Sequence, residues 1–161
     1  MLCRVNLSAS GMDVLEAENG RTALELAKRE RPDLVLLDVM MPDVDGWTVA
    51  RELADDERTR EIPIVFLTAR AEAADKRMGQ QLGGVGYVVK PFDPVMIGDF
   101  VERVIERVER GEREQLTRDI SFNDQVLAKE AEEVLLYRDM QTDMVQQIVR
   151  RLSAAQLATE S

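Results

Sequence analysis

Three polar residues each stand at the end of a short apolar run. Asp38 follows Leu34-Val35-Leu36-Leu37, Thr68 follows Ile62-Pro63-Ile64-Val65-Phe66-Leu67, and Lys90 follows Tyr87-Val88-Val89. Continuous apolar runs of this length read as strands covered on both faces. Ligand sites in open α/β sheets gather at the carboxyl ends of strands, so the three groups are candidates for one site. A carboxylate can attack a phosphoryl group and form an acyl phosphate. The charge that develops on the three equatorial oxygens then needs cations and donors, which an ammonium and a hydroxyl supply. Ala69, beside Thr68, is small enough to let the backbone approach closely. Plainer readings compete: Asp38 as the cap of the Pro/Gly loop that runs to Gly46, and Lys90 as a snorkelling strand-end lysine.

The intervening segments supply the elements that must position these groups. Residues 2–9 read as the last turns of a helix, with Gly11 as its stop. Val14-Leu15-Glu16-Ala17 reads as a short strand and Asn19-Gly20 as a turn. A helix follows over about 21–30, with Ala23, Leu24, Leu26 and Ala27 inward, and Pro32 ends it. Residues 46–54 make a helix burying Trp47, Val49, Ala50 and Leu53, and Asp55–Glu61 a charged surface loop. A weakly amphipathic helix over 70–82 is expected to bury Ala74, Met78 and Leu82 before Gly83-Gly84 breaks the chain. From 94 to 110, Ile97, Phe100, Val101, Val104, Ile105 and Val108 recur at three- and four-residue steps, the stripe of a core-facing helix. Alternation of this kind implies a parallel sheet with helices on both faces.

Composition narrows the function. The 161 residues are enough for an ordinary core. A net charge of −10 argues against binding a phosphate backbone, and no nucleic-acid partner is expected. Histidine is absent, which excludes histidine-based nucleophile systems and His-ligated metals, and places any phosphohistidine donor on another molecule. The single Cys3 cannot form an internal disulfide. With no signal peptide or membrane span evident, a cytoplasmic protein is the expectation.

The segments LLDVMMPDVDG, IVFLTA and GYVVKPF, in this order and spacing, resemble the receiver domain of two-component response regulators, over about residues 2–110. The resemblance implies a flavodoxin-like, doubly wound parallel sheet and a phosphorylation-controlled signalling receiver that is not an enzyme. Its phosphoryl donor would be a sensor histidine kinase or a phosphotransfer protein. In the family, the residues matching Asp38, Thr68 and Lys90 are the phosphoacceptor, the switch hydroxyl and the phosphate-binding lysine, and Tyr87 matches the aromatic switch. The competing reading of Tyr87 is a half-exposed strand aromatic. The resemblance also implies a cis Lys90–Pro91 peptide, and Mg²⁺ held by Asp38, the Met40 carbonyl and an acidic pair at the end of the first strand.

That strand and pair are not in this sequence; no apolar run ending in two acids precedes Val14. The expectation is therefore a receiver truncated at its N-terminus, with an internal start at Met1 as the simplest explanation. The strands at Val14 and Leu34 would lack their shared partner, and Mg²⁺ binding is doubtful with two carboxylates fewer. A chain of this kind should be unstable and poorly phosphorylated. The alternative is a degenerate receiver serving as a phosphate-independent protein-interaction module. A haloacid-dehalogenase-like phosphatase ranks far behind, because the second Asp that family needs is replaced by Met40.

Gly111 divides the chain into a receiver over 1–111 and a helical extension over 112–161. Ser121–Asp124 reads as a helix start, with Leu127, Ala131, Val134 and Leu135 along one stripe. A second helix is expected from Thr142-Asp143, with Val145, Ile148 and Leu152 as its apolar edge. Such helices are either a solvated appendage or a surface for self-association or partner docking, and the apolar stripe favours the second. Output by protein–protein contact follows.

Overall fold

A computed structural model describes residues 2–41, 44–69, 73–118 and 146–151 of the chain. The elements run α1 (Leu2–Ala9), β1 (Met12–Ala17), α2 (Gly20–Glu30), β2 (Leu34–Asp38), α3 (Gly46–Asp55), β3 (Ile64–Thr68), α4 (Ala73–Gln81), β4 (Gly84–Val89), α5 (Pro94–Glu109), α6 (Arg113–Arg118) and β5 (Gln146–Arg151). The sheet order is β1-β5-β2-β3-β4.

Every residue of β2 and of β3 is buried, because successive side chains face opposite sides of a sheet that is covered on both. Leu34 and Leu36 join Val65, Leu67, Phe100, Val101 and Val104 in one core, against α1 and α5. Val35 and Leu37 join Ala27, Val49, Leu53, Phe66 and Tyr87 in the other, against α2 and α3. Local chemistry starts the helices where the chain must turn. Asn19 accepts the Thr22 N–H at 2.9 Å, and Asp45 accepts the Thr48 N–H at 2.8 Å. Asp93 accepts the Val95 N–H at 3.0 Å, with Pro94 in the first turn of α5. Strands β2, β3 and β4 are parallel, the doubly wound α/β architecture expected.

The expected gap between β1 and β2 is filled. Strand β5 pairs antiparallel with β1 from Met12↔Arg151 to Ala17↔Gln146, and antiparallel with β2 at Leu34↔Val149, Val35↔Ile148 and Leu36↔Gln147. This corrects two expectations: β1 and β2 do share a partner, and residues 146–151 are a strand instead of part of a second helix. The cause is the hydrogen-bonding demand of two strands that do not touch each other, whose facing N–H and C=O groups would otherwise be buried unpaired. The helix expected from Ser121 lies outside the described residues. In α4, Met78 is 40 % exposed and Gly79 is buried in its stead. Gly84, read as part of a break, opens β4.

Ending the chain at Arg118 should therefore lower its urea-unfolding midpoint and open an apolar dye-binding surface. The expected cost is several kcal/mol, since each ladder hydrogen bond contributes about 1 kcal/mol net. An unchanged midpoint would show that β5 does not complete the sheet.

Candidate functional site

The mouth of the sheet lies where β2, β3 and β4 end. The Asp38 side chain is 3 % exposed and forms an ion pair through Oδ2 with the Lys90 ammonium, itself 13 % exposed. Its other oxygen, Oδ1, accepts the Met40 N–H at 2.9 Å. Capping and chemistry thus do not exclude each other, because the carboxylate has two oxygens. Thr68 is 6 % exposed. Leu67, just before it, is the register partner of Asp38, and the Thr68 carbonyl accepts the Lys90 N–H at 2.8 Å. The Lys90–Pro91 peptide is cis. All three strand-end residues named from the sequence thus converge: Asp38 and Lys90 in direct contact, and Thr68 on the strand between theirs.

The loop after β2 is closed by backbone contacts. The Val39 N–H reaches the Leu67 carbonyl at 2.9 Å and the Gly46 N–H reaches the Val39 carbonyl at 3.1 Å. A Cβ on Gly46 would lie 2.3 Å from the Asp38 carbonyl oxygen and 2.8 Å from the Val39 Cα. Only a residue without a side chain lets α3 begin so near the Asp38 carboxylate.

Tyr87 is buried, 1 % exposed, so the half-exposed reading does not hold. Its ring stacks on Phe66 at 5.3 Å between centroids, and Phe66 meets Trp47 at 4.7 Å. Its hydroxyl donates to the α4 carbonyls, with Asp75 at 2.8 Å and Lys76 at 3.2 Å. A Cβ on Gly79 would fall 1.8 Å from that hydroxyl, so the glycine is the notch that seats the tyrosine. Sequence reasoning missed Gly46 and Gly79 as site-shaping residues. A glycine inside a helical pattern, which usually marks close packing, was the available signal for Gly79.

Among the described residues no three His, Cys, Asp or Glu side chains cluster as metal ligands. Asp38 is the carboxylate at the mouth, and Lys90 already lies on one of its oxygens. Mg²⁺ prefers near-octahedral oxygen coordination, so the donors among the described residues do not fit it.

Fold and strand-end geometry together define a doubly wound domain with its acidic residue at the sheet mouth, and comparison with known proteins agrees. The sequence pattern of the "Response regulator receiver domain" family matches residues 1–102. "Probable transcriptional regulator ycf27" of Porphyridium aerugineum is 39 % identical over 109 residues, covering 68 % of this chain and 44 % of that protein. "Response regulator PleD" of Caulobacter vibrioides is 45 % identical over 96 residues, covering 60 % of this chain and 21 % of that protein. Among solved structures, the receiver domain of the sensor histidine kinase PA1611 from Pseudomonas aeruginosa, with magnesium coordinated in its active-site cleft, aligns with a TM-score of 0.57. It is 32 % identical and covers 64 % of this chain and 84 % of that one. The chain belongs to the response regulator receiver family. It spans less than half the length of the curated relatives it matches.

A second pattern, described as "Lipopolysaccharide-assembly", matches residues 63–152. That stretch takes β3 and β5 without β2, the strand that pairs with both. It corresponds to no unit of this fold and carries no functional reading.

Two outcomes are expected. Gly46→Ala should lower stability by about 1–3 kcal/mol through overpacking and weaken any labelling of Asp38; an unchanged urea midpoint would mean that the loop yields freely. Burial, aided by the nearby Asp75 charge, pushes the Tyr87 hydroxyl above its usual pKa. The unfolded chain releases that proton near about pH 10 while the folded chain keeps it, so stability is full below that pH and falls above it, by up to about 1.4 kcal/mol per pH unit. Between about pH 9 and pH 11, the wild type should lose stability more steeply than Tyr87→Phe. Parallel profiles would place the hydroxyl in water.

Proposed function

We propose that Asp38 accepts a phosphoryl group from a phosphohistidine on a sensor histidine kinase or phosphotransfer protein. The contact between Asp38 at the end of β2 and Lys90 at the end of β4, across the end of β3, carries this reading. An Asp38 carboxylate oxygen forms the new bond to phosphorus as the bond to the donor imidazole nitrogen breaks. That nitrogen leaves with the bonding electron pair, and an acyl phosphate remains. The Lys90 ammonium moves from the carboxylate to the phosphoryl oxygens, and the Thr68 hydroxyl donates to them. These 161 residues contain no histidine, so the donor imidazole lies outside them.

Tyr87 follows Thr68 as the aromatic partner of the switch. The receiver unit spans 1–111, and 112–161 is the extension that supplies α6 and β5. Output passes by protein–protein contact, and the protein acts in the cytoplasm; among the described residues no helix is long and apolar enough to cross a membrane.

Treating the chain with acetyl phosphate and following its intact mass should show one phosphoryl addition, absent in Asp38→Asn. Because the donor set does not fit magnesium, added Mg²⁺ should accelerate labelling little. No addition to the wild type would overturn the proposal and leave the phosphate-independent interaction module in its place.

A further inference from the structure

Helix α6 has six residues, too few to persist on its own in water. Its docking is therefore what keeps it helical. The Gln80 amide at the end of α4 donates to the Thr117 carbonyl at 2.6 Å. The Arg113 guanidinium donates to the Glu61 carbonyl at 2.7 Å, before β3, and to the Gly83 carbonyl at 3.5 Å, before β4. Leu116 is 1 % exposed and belongs to the same core as Val85 and Val88 of β4. The helix is thus fastened where α4 ends and β4 begins, and to the segment before β3.

The position of α4 is set from the other side. The Tyr87 hydroxyl holds the carbonyls of Asp75 and Lys76 and fills the notch at Gly79, one residue before Gln80. Tyr87 lies on β4 three residues before Lys90, which sits on Asp38. A continuous series of contacts therefore joins the carboxylate to α6, through Lys90, β4, Tyr87 and α4. Each link is a hydrogen bond, an ion pair or a covalent segment of β4 or α4.

We infer that α6 is the segment that reports the state of the strand-end site, docked when the Tyr87 hydroxyl holds α4 and released when that hold is lost. This builds on the phosphoacceptor reading of Asp38 and names the surface, α4 against α6, through which that site acts on the extension. Docked and undocked α6 are the two discrete states such coupling needs.

Hydrogen exchange of the α6 amides, taken relative to β3 amides in the same full chain, tests this. Tyr87→Phe keeps the ring and removes the hydroxyl; it should raise relative α6 exchange several-fold, as should Gln80→Ala, which cuts the contact directly. No relative rise in Tyr87→Phe would overturn the inference, whether Gln80→Ala raises exchange or not. Acetyl phosphate forms a separate arm: if Asp38 takes up the phosphoryl group, α6 exchange should change with it, and unchanged exchange on a labelled chain would also overturn the coupling. Absence of labelling bears on the phosphoacceptor reading alone, and Tyr87→Phe still decides the inference.

Discussion

Two strands that never meet, β1 and β2, and the backbone groups they turn toward each other govern this molecule. Strand β2 carries the Asp38 carboxylate at its end, and its position is fixed only if both of its edges are paired. Strand β3 takes one edge and β5 takes the other. Strand β1 is tied into the sheet through β5 alone. Since buried backbone groups are nearly always satisfied, a segment far along the chain is drawn into the centre of the sheet. The polarity of β5 is opposite to its neighbours because nothing in the pairing requires otherwise; antiparallel ladders are at least as stable per residue as parallel ones.

Once the sheet is complete, the chemistry follows from where strands stop. The ions of opposite sign at the ends of β2 and β4 are almost fully withdrawn from water, and a buried pair broken on one side typically costs about 3–5 kcal/mol. Lys90 thus keeps the Asp38 carboxylate compatible with a buried site, and under the proposed phosphorylation it is already placed to follow the charge. The same ammonium occupies one of the oxygens a metal would use. The neighbour from Pseudomonas aeruginosa holds magnesium in its cleft; here the local positive charge on the carboxylate is a side-chain cation.

Much of this was legible in the residues. Strands β2 and β3 are apolar without interruption, a pattern that a two-sided sheet demands, and the α5 stripe has an unbroken helical period. Asp38, Thr68 and Lys90 could be named because each ends such a run. Strand β5 could not: Gln146-Gln147-Ile148-Val149-Arg150-Arg151 has two apolar residues, and Val145, Ile148 and Leu152 fit a helical spacing equally well. Its conformation comes from the vacancy it fills, which is tertiary context overriding local preference. Met78 was expected inward because it is the largest apolar residue of a weakly patterned helix. The Tyr87 hydroxyl needs that space, so a glycine faces in. Thr59 was similarly hidden in a charged loop, yet its hydroxyl is buried and donates to the Leu53 carbonyl at 2.8 Å, closing α3.

The claim on which the site depends is that β5 lies between β1 and β2, and nuclear Overhauser contacts across the sheet test it most directly. Val149 is opposite Val14 on one side and Leu34 on the other. Cross-strand contacts from Val149 to both residues, with slowly exchanging β5 amides, are the predicted result. Rapid exchange throughout 146–151, with contacts to neither strand, would contradict the account.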